Sequence, residues 1–445
     1  MAKEQYVSLY KQYSKTIKKH CSELLNKFRD EAFESLCNSD FYVHSEEKNA
    51  INLQPAYDSD FGLNFNRVDI NADPYKIFRC DVPNINSYLC FVVNDKYYQN
   101  TDQKVKLPNG VVVSSLNTIS ETNPDLVIPY LFKNMDWKNN PTQAFNVTFA
   151  QDGLFIYVPK NTEMEMPIQV VNFMYGNSDI MAVSHNVIVL EEGAKLKLLV
   201  CDHTSNDSQY LANRVTEIFV GKNASYEHYK VENTHNKMTN ISNVLVNQGD
   251  NSKLLTNLIT LHNGYTQNNI KIDINGENSE TVVCGLAIGD KQQTINNYTL
   301  IDHARPKSNS QQMFKYILDD QSKGTFTGKI LVQKQSQKTV AFQTCRTILL
   351  SKDAHIKAKP QLEIYADDVK CSHGNTIGQL DDTAMFYLRS RGISEKEAKL
   401  LLMYAFVHDV LENITVEALK DRVKMLVEKR LRGDLSKCSG CIICK

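Results

Sequence analysis

Val187-Ile188-Val189-Leu190 runs into the small-residue turn Gly193-Ala194, and the same pairing of an apolar run with a turn keeps returning. Ile218-Phe219-Val220 is followed by Asn223-Ala224, Val244-Leu245-Val246 by Asn251-Ser252, and Ile270-Lys271-Ile272-Asp273-Ile274 by Asn278-Ser279. Successive turns lie 30, 28 and 27 residues apart. Short alternating runs are strand-like, since strand side chains point to opposite faces in turn. A unit of nearly constant length that cannot bury its own apolar face reads as one coil of a stacked solenoid. A β-sandwich would give similar strands. The lack of helical patterns between the runs argues against a doubly wound α/β sheet. The expectation is a parallel β-helix with two open ends to be capped or paired with another chain.

Working outward, the run Phe155-Ile156-Tyr157-Val158 places the start of the solenoid near residue 146. Beyond Asn278, the next turns matched are Lys323-Gly324 and Asp353-Ala354, after gaps of 45 and 30 residues. The long gap predicts an insertion around Gln292 to Gln312. Residues 1–145 form a helical and mixed α/β segment. Its first forty residues read as an amphipathic helix with Tyr13, Ile17, Cys21, Leu24, Leu25, Phe28 and Ala32 on one face, packed on its own domain. After residue 380 the period is helical again. Ser394 and Glu397 have capping-box spacing, and Thr415 is placed to cap a last helix. The domain plan is 1–145, a β-helix core at 146–380, a helical segment at 381–436 and a Cys-rich tail at 437–445.

Composition narrows the function. The 445 residues are 42% hydrophobic and 23% charged with a net charge of -1, so no global attraction to nucleic acid or anionic membranes exists. The longest apolar stretch, near Leu400 to Phe406, is far short of the roughly 20 residues a membrane span needs. The opening Lys3, Glu4 and Gln5 do not resemble an export signal, and eleven cysteines without one are expected as reduced thiols in the cytoplasm. Gly324-Thr325-Phe326-Thr327-Gly328-Lys329 is one residue short of a phosphate loop, and Ile330 replaces its Ser or Thr. No dinucleotide fingerprint, HExxH helix or nucleophile elbow occurs. A chain with no nucleotide site and no catalytic triad is expected to be non-catalytic. A carbohydrate-active β-helix enzyme would need clustered carboxylates and normally a secretion signal.

Two cysteine elements have residue types and spacing that suit metal. In Val369-Lys370-Cys371-Ser372-His373-Gly374, an extended chain puts Cys371 and His373 on one face. A thiolate and an imidazole suit iron, zinc or copper, and a neighbour such as His373 or Lys370 would lower the thiol pKa for sulfur handling. Two residues do not complete a tetrahedral site. The bland reading is a buried cysteine and a hydrogen-bonded histidine at a strand end. Cys438, Cys441 and Cys444 have the C-x-x-C-x-x-C spacing of iron–sulfur and zinc sites, though a terminal tail without a fixed role has the same pattern. His203, His228 and His262 at strand ends, the carboxylates Asp367 and Asp368, and Arg389 and Arg391 at a helix end read as ordinary structural groups.

An ordered set of stretches carries a resemblance. It runs from Ser308 and Lys315 through Gly324 to Ile330, Gln343, Leu349-Leu350-Ser351, Lys359-Pro360-Gln361-Leu362-Glu363-Ile364, Cys371-Ser372-His373-Gly374 and Gly378-Gln379-Leu380-Asp381, to Phe386-Tyr387-Leu388-Arg389-Ser390-Arg391-Gly392-Ile393. Over the last third of the chain this resembles the SufB/SufD family of iron–sulfur cluster assembly proteins. Weaker similarity, including Tyr157-Val158-Pro159-Lys160, reaches back to about residue 150. The Cys-Ser-His-Gly form is nearer the SufD side, with a SufB-type scaffold as the alternative and a structural adaptor without metal chemistry as the next. The resemblance implies a right-handed parallel β-helix with terminal helical segments. It implies a heterodimer with a SufB-like paralogue and a SufC-like ABC ATPase bound by the helices of about 382–431, where ATP is hydrolysed. A homodimer of the isolated chain stays open. It also implies a transient iron–sulfur cluster or iron shared with the partner, with His373 contributing and Cys371 beside it.

Overall fold

The computed structural model describes residues 2–43, 50–68, 73–77, 85–99 and 106–433. The chain is mainly β, and its centre is the expected parallel solenoid. The strands that precede it include β1 (Tyr88–Val93), β2 (Lys96–Tyr98) and β3 (Val112–Ser115). The solenoid strands are β4 (Leu154–Val158), β5 (Ile168–Met174), β6 (Ile180–Leu190), β7 (Lys195–Thr204), β8 (Tyr210–Val220), β9 (Ser225–Asn233), β10 (Met238–Gln248) and β11 (Lys253–His262). They continue as β12 (Tyr265–Ile274), β13 (Glu280–Gly289), β14 (Thr294–His303), β15 (Asn309–Leu318), β16 (Lys323–Val332), β17 (Val340–Leu349), β18 (His355–Ile364) and β19 (Lys370–Gly378). Even-numbered solenoid strands stack in one sheet and odd-numbered ones in the other, so each coil contributes one strand to each.

Alternation sorts the side chains into an interior and two outer faces. Ile188, Leu190, Ile218, Val244, Ile270 and Ile301 from one sheet meet Leu196, Leu198, Tyr226, Leu254, Val283 and Phe314 from the other. Full burial of each aliphatic side chain stabilises the fold by about 1.5–3 kcal/mol, an upper figure because an unfolded chain already hides some surface. Neighbouring coils align without slippage along Ile218↔Val246, Val246↔Ile272 and Ile272↔Ile301, because a one-residue shift would turn the apolar row outward.

The recurring turns form a ladder at one corner. Asn161, Gly193, Asn223, Asn251, Asn278, Lys307 and Lys338 all have positive φ, between 51° and 70°. Glycine and asparagine suit this left-handed backbone best, which explains the small residues of the repeat. Each rung's N–H donates to a carbonyl of the next coil, as Asn223 does to Asp250 and Asn251 to Glu277, both at 2.8 Å. The rungs continue evenly from Asn278 to Lys307 and Lys338, so residues 292–312 hold no insertion. They are an ordinary coil made of β14, its turn and β15. The long gap came from losing the corner where lysine replaces asparagine: Lys323-Gly324 opens a strand, and Asp353-Ala354 belongs to the opposite corner.

Helices cover both outer faces. On the even sheet, α1 (Ala2–Lys19), α2 (Arg29–Asn38) and α3 (Pro141–Phe149) bury Tyr6, Tyr10, Phe145 and Phe149 against Val187, Val189 and Leu211. The N-terminal stripe is therefore real but broken, because Ser22 caps a new turn by accepting the Leu25 N–H. Glu217 ties this layer down, its carboxylate accepting the Phe132 and Asn134 N–H groups at 2.6 and 2.7 Å while contacting His185 Nε2 at 2.9 Å. On the odd sheet, α4 (Asp382–Ser390) leads into α5 (Glu395–Glu412) and α6 (Glu417–Leu431). Val407, Val410, Leu411 and Val423 pack on Tyr229, Ile259 and Leu286. Ser394 caps α5 as expected. Thr415 does not cap α6. Its hydroxyl bonds the Glu227 carboxylate and Tyr229 OH, fixing the helix link to the sheet.

Candidate functional site

The two ends of the solenoid are finished differently. At the start, β3 runs antiparallel on β4, and the β1–β2 hairpin closes the other sheet beyond β5. At the far end, β18 and β19 are the last strands of their sheets, each paired on one side only. Pro360, Leu362, Ile364, Cys371, His373, Asn375 and Ile377 continue the inward rows of the preceding coil, yet no further coil among the described residues covers them. Ile377 is 46% exposed and Tyr365 62%. An apolar rim on two open sheet edges invites another chain.

Cys371 and His373 lie in this last coil on β19, two residues apart on one face. Their parallel partners are Ala341 and Gln343, both buried inside the solenoid, so both side chains belong to the inward row at its open end. Cys371 is half-buried against Ile330, Val332, Ala341 and Ala366. Burial raises its thiol pKa, with a backbone hydrogen bond at Ala341 opposing in part. The expected lowering by His373 or Lys370 does not occur. In the free chain Cys371 is a resting thiol rather than an activated thiolate. His373 is exposed. Among the described residues no three His, Cys, Asp or Glu side chains gather at a common point, so this pair is at most half a metal site.

Immediately beneath, the interior turns polar. The Thr299 hydroxyl donates to Gln312 Oε1 at 2.9 Å, and Gln343 Nε2 donates to the same oxygen at 2.8 Å. Gln343 Oε1 accepts from no donor among the described residues. Gly328 across the interior makes room for this side chain: a Cβ there would stand 2.2 Å from Gln343 Nε2. The near phosphate-loop sequence is thus strand β16, with its glycines serving packing.

A second buried polar group lies deeper and escaped the sequence reading. Arg214 faces Asp202 at 3.1 Å, and Lys230 meets Glu232, all buried between the sheets. Burial would raise the Asp202 pKa, but Arg214 and Lys230 outweigh it and hold the carboxyl below its usual range. Charged residues at positions that alternation assigns inward were the available signal.

The remaining candidates are structural. His228 is buried in β9, its Nδ1 2.8 Å from the Tyr226 hydroxyl, and burial with Lys230 nearby lowers its pKa to about 3. His262 bonds Thr234 O and Asn236 Oδ1. His203 lies near the end of β7. Asp367 and Asp368 sit in an exposed turn. Arg389 pairs with Glu395 at 3.6 Å, and Arg391 stacks over the Tyr387 ring. Cys438, Cys441 and Cys444 lie outside the described residues.

The C-terminal helices form a second exposed feature. Phe386 is 75% exposed and Tyr387 55% on α4. Their platform is latched to the solenoid by Lys315, whose Nζ donates to Phe406 O and Asp409 Oδ2, both at 2.6 Å. Arg430 adds bonds to Leu261 O and Asp290 Oδ2 at 2.6 Å each. No helix among the described residues is long and apolar enough to cross a membrane.

Comparison with known proteins shows the family. Residues 173–406 match the family described as "SUF system FeS cluster assembly, SufBD core domain", and residues 1–170 match "SufBD protein N-terminal region". An iron–sulfur cluster assembly SufBD family protein of Synechocystis is 28% identical over 333 residues, 73% of each chain. The iron–sulfur cluster assembly protein SufD of Escherichia coli is 35% identical over 250 residues, 55% of this chain and 58% of its own. SufD of Bacillus subtilis is 27% identical over 326 residues, covering 73% of this chain and 74% of its own.

Proposed function

Because the chain belongs to the SufBD family of the SUF system, we propose that it is a SufD-like, non-catalytic scaffold subunit in iron–sulfur cluster assembly. The observation that carries this reading is the open last coil, which presents Cys371 and His373 on an apolar rim with no third His, Cys, Asp or Glu gathered beside them among the described residues. A second solenoid, SufB-like, docks its own open edge against β18 and β19 and supplies the missing ligands. Iron or a nascent cluster is the cargo held between the two chains, with His373 as the principal ligand from this side. The partner also changes the surroundings of Cys371, whose thiol is held protonated by burial in the free chain.

The exposed platform of α4, α5 and α6 receives a SufC-like ABC ATPase, which hydrolyses the ATP. Lys315 and Arg430 would carry movement from that platform into the solenoid. On this reading residues 146–380 form the scaffold, 381–436 the ATPase contact and 1–145 a cover, while the 437–445 tail adds Cys438, Cys441 and Cys444 as further metal or sulfur ligands. All the described cysteines are free, consistent with work in the reducing cytoplasm.

The test is co-expression of the chain, wild type or His373→Ala, with a SufB-type and a SufC-type chain. The variant should assemble normally and lose iron-dependent absorbance. Unchanged absorbance in an intact complex would refute the role of His373. Loss of the ATPase from a pull-down when α4 to α6 are deleted is the second expected result, and retained binding would refute that contact.

A further inference from the structure

We propose that Gln343 is a positioning residue for His373: its free Oε1 accepts the His373 Nδ1–H, which turns Nε2 outward past the sheet edge as the available lone pair. This deepens the proposed function and rests on its reading of His373. Four observations converge. First, His373 and Gln343 are direct ladder partners on adjacent parallel strands, and both belong to the inward row. Strands are about 4.8 Å apart, so a glutamine amide and an imidazole stacked in this way reach one another by side-chain rotation alone.

Second, Gln343 is 1% exposed, and its Oε1 has no hydrogen-bond partner among the described residues. A buried carbonyl oxygen without a donor is costly, and the His373 imidazole in the row above carries a donor. Third, the amide is oriented. Its Nε2 is committed to Gln312 Oε1, itself held by the Thr299 hydroxyl, which leaves the oxygen as the free end. Fourth, the side chain is closely packed, because it fills the room that the missing side chain of Gly328 leaves opposite. A glutamine held this firmly is a fixed acceptor beneath a histidine that has no hydrogen bond of its own among the described residues.

The chemistry is general. A histidine that binds metal through one ring nitrogen commonly donates its other N–H to an acceptor behind it, which fixes ring orientation and tautomer. Here the acceptor comes from the penultimate coil, so the last two coils act as one unit.

The experiment uses the full-length chain with 15N-labelled histidine at about pH 8. The His373 signals are identified by their loss in His373→Ala. Free imidazole in water favours the Nε2–H tautomer, so an excess of Nδ1–H at His373 is diagnostic. About a fivefold excess is expected in the wild type, as one ordinary hydrogen bond would give. Gln343→Leu should remove it, and Gln343→Glu, which keeps the acceptor, should restore it.

A wild-type His373 in the Nε2–H form would overturn the proposal, as would an unchanged tautomer ratio in Gln343→Leu. The wild-type measurement decides even if the leucine variant fails to fold. Cluster assembly that survives loss of His373 in the complex would instead overturn the proposed function and leave this contact standing.

Discussion

The two ends of the solenoid are built from the same kind of coil and treated in opposite ways. At the start, an antiparallel strand and a hairpin cover the edges, and Val92 is almost wholly buried. At the finish, both edges are bare and Ile377 is nearly half exposed in the equivalent inward row. Exposed sheet edges are a liability that proteins normally blunt with charge, proline or a covering segment. One end of this molecule is covered, and the inward row at the other is left apolar beside Cys371 and His373. The difference teaches that the far end is an unfinished surface rather than a stop.

The sharpest way to break the comparison is to put a carboxylate into each end. Val92→Asp should cost about 3–5 kcal/mol and leave little soluble protein, since a charge would enter a closed core. Ile377→Asp should melt within about 0.5 kcal/mol of wild type while losing its second solenoid chain in co-purification. Equal destabilisation by both would show that the far end is not open.

A smaller effect tests how the helical platform is held beside that end. Lys315→Met removes two bonds to α5, one from a charged group to a carboxylate, and should loosen the platform by about 2 kcal/mol. The readout is faster proteolysis within 395–431, with the solenoid itself resistant. Smaller again is the pH behaviour of Cys371. Its raised pKa means less thiolate at neutral pH than an ordinary cysteine has. Alkylation of the free chain should keep climbing about tenfold per pH unit beyond the ordinary thiol value near 8.5. Labelling that levels off below that value would contradict the burial effect.

The smallest expected change concerns the ladder. Lys338 occupies a left-handed rung at φ 63° near the open end, where the rungs up to Asn278 carry glycine or asparagine. Lys338→Gly should raise stability by about 0.5–1 kcal/mol in a thermal melt, because the left-handed strain at the side-chain carbon is relieved.

The fold was readable because each coil repeats one physical problem, an apolar row that only its neighbours can cover. Val187 to Leu190 and the small turn after it stated that problem plainly. The reading slipped where lysine takes the rung at positions 307 and 338, since a long charged side chain does not announce a left-handed turn. The site was half legible. Spacing put Cys371 and His373 on one face, and the surrounding motif gave them meaning. Gln343 lay within that motif but carried no visible role until its partner strand was known. Asp202, Arg214, Lys230 and Glu232 went unnoticed because ion pairs between sheets depend on which coil lies above which. Further partners for Cys371 and His373 were not readable, and none gathers beside them among the described residues.

The single neighbour of the last coil has one more consequence. In a stack held together by nearest-neighbour bonding, an end unit is the first to open and the last to settle. Cys371 and His373 ride on that unit, so amide exchange along 370–378 should be the fastest of any strand in the solenoid and should slow sharply once a second chain is bound. Under the proposed function, order at that edge would be supplied by the act of assembly, and an unaccompanied subunit would be kinetically discouraged from capturing iron on its own.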